Sequence, residues 1–286
     1  MPSKLFIIIV TWNGEKFIHD CLNSIYAQDE LDFDIIIVDN NSTDKTKEII
    51  KSSFEKVLLI ENDENAGFAA GNNIGIKNAL DLGANYIALL NQDTEVSKDF
   101  VKLCVKHLKE NDETGLVSPI ILFPKDDKIW FAGSKIFRGR EILKHPTTKV
   151  GEHTNKKCSL SNFGGNTNAD WIPACAVFIK KDVFKKIGLF DEKFFMYGED
   201  VDFSLRAHRA GYKLDIESNT TIIHKEKYDS KIKFNKGLIK KIAYKFRARY
   251  IIISRYYSFK EKCYYLIKLV YTPIFQLAYA FRKIFS

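Results

Sequence analysis

The first 120 residues alternate short apolar runs with stretches whose apolar residues recur at helical spacing, and this alternation restricts the possible folds more than any other feature. Leu5–Val10 (LFIIIV) is an unbroken apolar run, which suits a strand covered on both faces. Phe17–Ala27 then places Phe17, Ile18, Cys21, Leu22 and Ile25 at helical spacing. The pattern continues with a strand over Asp34–Val38, a helix after the Asn40-Asn41-Ser42-Thr43-Asp44 cluster and a strand over Val57–Ile60. A helix over Phe68–Leu82, a strand over Tyr86–Leu90, a helix from Ser97 to Lys109 and a strand over Gly115–Leu122 complete it. Strands separated by helices of this length predict βαβ units, and so an α/β fold with a mostly parallel central sheet flanked by helices.

Beyond residue 122 the pattern changes. Trp130–Phe137 and Trp171–Ile179 read as strands, with Arg138–Asn168 between them rich in Gly, Asn, Thr, Lys and His, as in a long functional loop. Short and longer helices follow over Lys181–Ile187 and Glu199–Ala210, then a strand over Thr220–Ile223, and from about Phe234 an amphipathic helical tail. Residues 1–225 are therefore read as one domain, with a first part over about 1–122 and a second over about 123–225, followed by a tail over 226–286.

The charge is uneven. The whole chain carries a formal +8, yet Lys225–Ser286 alone holds sixteen Lys/Arg against three acids. A basic tail on a slightly acidic body points to an anionic partner for the tail. Leu269–Phe281 is apolar-leaning but too short to span a bilayer, which takes roughly 20 residues. With Phe234–Tyr257 it reads as an interfacial element on anionic lipid, with packing on the body or on a second copy (a homodimer) as the alternative. Nucleic acid is not expected, since no binding motif accompanies the charge. Five cysteines with no CxxC pair argue against a disulfide framework or zinc ribbon and for a reducing compartment. The opening MPSKLFIIIVTWNG reads as a first strand rather than a signal peptide. Together these features place the chain in the cytoplasm, peripheral on the inner face of the cell membrane.

In open parallel sheets, ligands bind where the strands end. After the first strand stands Thr11-Trp12-Asn13-Gly14, after the second Asp39-Asn40-Asn41-Ser42, and after the fourth Asn91-Gln92-Asp93-Thr94. Asp39 and Asp93 are candidate ligand groups, with helix capping as the plainer alternative. No GxGxxG follows the first strand, and neither a Walker loop nor a G-x-S-x-G elbow occurs, which argues against hydride transfer, P-loop chemistry and serine hydrolysis. Gly67, Gly71 and Gly75, spaced by four, suit a closely packed helix face. The densest acidic cluster, Glu199-Asp200-Val201-Asp202, opens a helix after an aromatic run and Gly198. Helix capping with an Asp200–Arg206 or Asp202–Arg206 salt bridge is the plainer alternative, and the favoured one for Asp202, while Glu199 and Asp200 stand where a carboxylate in a partly dry pocket can serve as a general base. His224 ends a strand and, with Asp93, is a candidate ligand pair for a hard cation.

These residues are familiar as a set. The series IIIVTWNG, IIIVDNNSTD, ENAGFAAGNNIGI, LLNQDTEV, DWIPACAVFIKKDVFKKIGLFDEKFFMYGEDVDFSLRAHRAGYKL and IIH resembles the inverting family 2 glycosyltransferases, most of all their bacterial rhamnosyltransferase-like branch. The likeness runs from about Lys4 to His224 in matching order and implies a GT-A fold, a nucleotide-sugar-binding part joined to an acceptor-binding part. It implies that Asp39 binds the pyrimidine base, that Thr11 and Trp12 line the donor pocket together with Gly67, Gly71 and Asn91, and that Asp93 holds Mg²⁺ or Mn²⁺ on the diphosphate with His224 completing the site. It makes Asp200 the general base with Glu199 its neighbour, and puts Trp171 on the acceptor side. The implied activity is transfer of a sugar from a nucleotide sugar, dTDP-L-rhamnose in that branch, to a hydroxyl of a glycan or lipid-linked glycan in cell-surface polysaccharide synthesis. A UDP-hexose donor or a non-catalytic sugar-binding relative are the alternatives. Two positions depart from the pattern: Asn91-Gln92-Asp93 has a single acid where relatives have a DxD-like triplet, and Ala174 stands where relatives commonly have Gly.

Overall fold

The computed structural model describes residues 4–29, 32–124, 128–133, 135–137, 140–142, 169–225 and 236–267. Eleven strands and seven helices, with a further helical stretch over residues 259–267, follow one another among them. The first half comprises β1 (Leu5–Thr11), α1 (Ile18–Tyr26), β2 (Phe33–Asp39), α2 (Thr46–Ser53), β3 (Leu58–Glu61), α3 (Gly67–Asp81), β4 (Tyr86–Asn91), β5 (Thr94–Val96) and α4 (Phe100–Glu110). The second comprises β6 (Thr114–Leu122), β7 (Ile129–Phe131), β8 (Lys135–Phe137), β9 (Arg140–Ile142), β10 (Ala176–Lys180), α5 (Lys181–Ile187), α6 (Glu199–Arg209), β11 (Lys213–His224) and α7 (Lys236–Tyr256). The main sheet runs β3-β2-β1-β4-β10-β6-β11-β5, with β7 alongside β6, and β8 pairs with β9 in a second sheet.

The expected parallel sheet is the first half of this array, where β3, β2, β1 and β4 pair in parallel. Between β4 and β6 lies β10, antiparallel to both, while β11 rejoins β6 in parallel. The unbroken apolar run of β1 is explained by its position, since Ile7, Ile8 and Ile9 are fully buried between layers of helices. Two glycines of α3 make the helix–sheet contact close. A Cβ on Gly75 would fall 2.5 Å from Ile8 Cγ2, and one on Gly71 would fall 2.8 Å from Val10 Cγ1. The helix thereby forgoes about 1 kcal/mol of helix propensity per glycine in exchange for buried apolar area.

Three strand boundaries differ from expectation. Trp130–Phe137 is two strands, broken at Gly133, whose φ of +98° leaves the pleat. Trp171–Ile179 becomes a strand only at Ala176, after Pro173, which has no N–H for a ladder. Thr220–Ile223 is the end of a twelve-residue strand whose register slips between Glu217 and Thr221. Most of the polar stretch Arg138–Asn168, and all of Leu269–Phe281, lie outside the described residues. Cys21, Cys104 and Cys175 are buried, and Cys263 is exposed.

An acid–histidine–acid cluster ties α4 to β11. His107 Nδ1 lies 3.0 Å from Glu217 Oε2, and its Nε2 lies 3.2 Å from Asp215 Oδ2, which also accepts the Thr114 hydroxyl. Hydrogen bonds to Asp215 and Glu217 push the His107 pKa up from an ordinary 6.5 to about 9. Both acids are held below the usual carboxylate range: burial opposes this, but their bonds to His107 prevail. The acids' stabilising contribution is thus present above about pH 4 and lost on acidification, whereas that of His107 is complete below 6.5 and lost as pH rises through 9. Stability is expected to fall by roughly 2 kcal/mol between pH 6.5 and 9.5, allowing for residual solvent screening. His107→Gln should flatten that slope in urea unfolding series taken at each pH. An equal slope in the variant would assign it to other groups.

Candidate active site

The ends of three parallel strands set the site. Thr11 and Asp39 stand opposite each other on β1 and β2, and Asn91 stands opposite Val10 on β4. The turns that follow are laced together. Asn13 and Asn41 both take the left-handed conformation, at φ +49° and +61°. Asn13 N–H donates to Ser42 Oγ at 2.9 Å, Thr43 N–H donates to Asn13 Oδ1 at 2.9 Å, and Gly14 N–H donates to Thr46 Oγ1 at 2.7 Å. Asp39 is fully buried. Its Oδ2 accepts the Ser42 N–H at 2.8 Å, as a turn-capping Asp would, but its Oδ1 is buried with no partner. A buried carboxylate oxygen without a donor costs about 1–3 kcal/mol.

The turn after β4 carries a residue whose role the sequence did not reveal. Gln92 Oε1 accepts both the Thr11 hydroxyl and the Trp12 N–H (3.1 Å), and its Nε2 donates to the Trp12 carbonyl at 3.3 Å. Gln92 therefore clamps the first-strand turn to the fourth-strand turn and leaves the Trp12 ring half exposed, at 52%. A Cβ at Gly14 would overlap Gln92 Oε1 and fall 2.9 Å from Thr11 Oγ1, so a larger residue there would displace the clamp. Immediately after this clamp, short β5 pairs antiparallel with the end of β11, setting His224 opposite Thr94. That pairing brings His224 Nε2 to 3.3 Å from Asp93 Oδ1 and 3.3 Å from Asn91 Nδ2. Asn91 Oδ1 is buried without a partner, and the Trp130 ring packs edge-on against His224 at 5.4 Å. The Lys225 N–H donates to the Asp93 carbonyl at 2.7 Å.

The acidic cluster opens α6 from a constrained turn. Tyr197 (φ +72°) and Gly198 (φ +87°) are both left-handed. At Gly198 a Cβ would meet Ala248 and Phe194 at 3.0 and 3.2 Å. Glu199 is only 5% exposed and its Oε2 has no partner. Burial, reinforced by the charge of neighbouring Asp200, lifts Glu199 well above the usual carboxylate range. Asp200 is half-buried, and its Oδ1 accepts the Val201 N–H at 2.8 Å. Asp202 is fully buried and forms the expected pair with Arg206 Nε at 2.8 Å, joined by Arg255 at 3.0 Å and the Tyr256 hydroxyl at 2.7 Å.

Contacts on both sides tie this turn to the strand ends. Phe195 O accepts the Phe68 N–H at 2.7 Å at the start of α3, and Gly67 O accepts Asn40 Nδ2 at 3.0 Å beside Asp39. A Cβ on Gly67 would fall 2.5 Å from Phe195 O, so this position too serves close approach. On the other side Trp171 packs edge-on against Phe131 at 5.6 Å, and the Ile172 N–H donates to Ser204 Oγ of α6 at 3.2 Å. Among the described residues no group of three or more His, Cys, Asp or Glu converges as a metal cage.

Residues 6–188 match the family model described as Glycosyl transferase family 2. The chain belongs to that family. Over 235 residues this glycosyltransferase is 28% identical to the low-salt glycan biosynthesis hexosyltransferase Agl10 of Haloferax volcanii, an alignment covering 80% of this chain and 69% of the relative. It is 25% identical over 225 residues to the dTDP-rhamnosyl transferase RfbF of Shigella flexneri, covering 78% and 70%. Among solved structures, the mannosyltransferase PcManGT of Pyrobaculum calidifontis, in complex with GDP-Man and Mn²⁺, superposes with a TM-score of 0.61 at 16% identity over 88% of this chain and 64% of that one. The fold of this family 2 glycosyltransferase is thus GT-A.

Proposed function

We propose that this glycosyltransferase moves a sugar from a pyrimidine-nucleotide donor to a hydroxyl of a glycan or lipid-linked glycan, with inversion at the anomeric carbon. One observation carries the reading: a buried carboxylate with an unpartnered oxygen, Asp39, stands one strand from the turn that carries Asp93 beside His224. Asp39 Oδ1 would accept the imide N–H of the base, with Thr11 and Trp12 lining the pocket that Gln92 holds in shape. Gly67 and Gly71 contribute by letting α3 approach rather than through side chains of their own. The rhamnosyl relative favours dTDP-L-rhamnose as donor.

Asp93 Oδ1 and His224 Nε2, 3.3 Å apart, are spaced about as adjacent ligands of a six-coordinate Mg²⁺ or Mn²⁺, which also keeps phosphate and water ligands. The donor set fits such an ion despite the single acid of the Asn91-Gln92-Asp93 triplet, and the partnerless Asn91 Oδ1 adds an acceptor close by. When bound, the ion would neutralise charge growing on the leaving diphosphate. Asp200 takes the proton of the acceptor hydroxyl as its oxygen attacks from the face opposite the diphosphate, and no covalent intermediate is needed. Burial and the charge of Asp200 favour the neutral form of Glu199 beside it. Trp171 offers an aromatic wall on the acceptor side.

Thermal shifts with dTDP-L-rhamnose, UDP-glucose, UDP-GlcNAc and GDP-mannose, each with Mn²⁺ or EDTA, test this. One pyrimidine donor at about a hundredfold over its Kd should raise Tm by roughly 5–10 °C with the ion present. Asp93→Ala should lose the ion-dependent part of the shift. Equal shifts with and without EDTA in both proteins would remove Asp93 as a ligand, and a preference for the guanine donor would remove Asp39 as a pyrimidine reader.

A further inference from the structure

The helix α7 is apolar on two opposite faces. One face is occupied: Ala248 and Ile252 pack with Phe194 and Val201, Tyr244 stacks on Phe195 at 4.8 Å, and Arg255 bonds Asp191 and Asp202. The other is open. Ile239, Ile242, Phe246 and Tyr250 are 52%, 49%, 39% and 52% exposed. At 100° per residue these four fall within an arc of about 80°, centred roughly 160° from the occupied face. Lys240 and Arg247 flank the stripe on one side and Arg249 on the other, all three exposed. The sequence of α7 contains seven Lys/Arg and no acid. Phe259, Tyr264 and Ile267 are exposed as well, on the helical stretch over residues 259–267.

We propose that this stripe seats α7 in the surface of an anionic bilayer, with the basic flanks on lipid headgroups. Charge decides between occupants. A second copy would bring the same positive flanks against these, whereas anionic headgroups neutralise them. Span is not the mechanism, since no helix among the described residues is long and apolar enough to cross a membrane. The occupied face carries the consequence. α7 holds the Phe194–Asp202 segment directly, so a helix lying in the interface sets Glu199 and Asp200 one helix diameter, about 10 Å, from the headgroups. This part rests on the transferase reading above, and it makes a lipid-linked glycan the acceptor class that such a position serves.

Flotation of the full-length chain with vesicles tests the surface independently of activity. At about 0.15 M salt, binding to phosphatidylcholine vesicles carrying about 30 mol% phosphatidylglycerol should exceed binding to pure phosphatidylcholine, and should fall as salt rises. The double substitution Ile242→Glu with Phe246→Glu, both on exposed sites, should lower partitioning at least about tenfold while the donor-induced thermal shift is retained. Lys240→Gln and Arg249→Gln should each cost roughly fivefold. Equal flotation of wild type on both vesicle types, or of wild type and the double variant, overturns the proposal. So does a double variant that instead converts a dimer to a monomer in sedimentation, which would give the face to a second copy. Loss of the donor shift in every protein, wild type included, would sink the transferase reading while leaving the vesicle result standing.

Discussion

Asp200→Asn is expected to lower the turnover number by about 10²- to 10⁴-fold while leaving donor affinity within a few-fold of wild type. The substitution keeps the shape of the side chain and its acceptor oxygen for the Val201 N–H (2.8 Å), so the turn that begins α6 should persist. What it removes is the ability to take a proton. The neighbouring Glu199→Gln provides the contrast. Glu199 is buried, and burial together with the charge of Asp200 raises it well above the usual carboxylate range, so the amide resembles the neutral form that its surroundings favour. Its turnover should stay within a few-fold of wild type. Single-turnover transfer with saturating donor separates the two, because it reads chemistry without product release. If the two variants lose activity equally, or if Glu199→Gln loses more, the base is Glu199 and the burial argument for its neutrality is wrong.

How far the sequence alone reaches can be judged strand by strand. β1, β2 and β4 are legible because strands covered on both faces must be apolar throughout, and the residues following them locate Thr11, Asp39 and Asp93 at one edge. β5 is not legible: Thr94–Val96 is three residues long with no apolar pattern, so nothing in the chain announces its pairing with β11. Yet that pairing is what carries His224 across 131 positions to Asp93. The Gln92 clamp is hidden for a related reason, because it depends on the register between β1 and β4 rather than on any local motif. Asp202 shows both cases at once. Its bond to Arg206 follows from helical i,i+4 spacing and can be read directly. Its bonds to Arg255 and Tyr256 arise from a helix more than fifty residues away, which composition alone marks only as a basic tail.

Those distant partners imply a second large effect, two residues from the first and different in kind. Asp202→Asn should destabilise the protein by about 3 kcal/mol, lowering Tm by roughly 6–12 °C. Asp202 is wholly buried, and its two carboxylate oxygens accept from Arg206, Arg255 and Tyr256. Removing the charge leaves two guanidinium groups facing a neutral amide. Arg206 keeps the carbonyls of Ile187 and Leu189 (2.7 and 2.9 Å), and Arg255 keeps Asp191. Both arginines also retain some solvent contact, which sets the cost at the lower end for breaking a buried pair. Since α7 reaches α6 through this carboxylate, limited proteolysis should cut first near α7 in the variant. Asp200→Asn, at a site only half-buried, should lower Tm less than Asp202→Asn, so the two neighbours separate on paired axes of stability and turnover. Should Asp202→Asn keep the wild-type Tm, the desolvation of three charges offsets their attraction, and α7 is held by its apolar contacts with Phe194, Phe195 and Val201 instead.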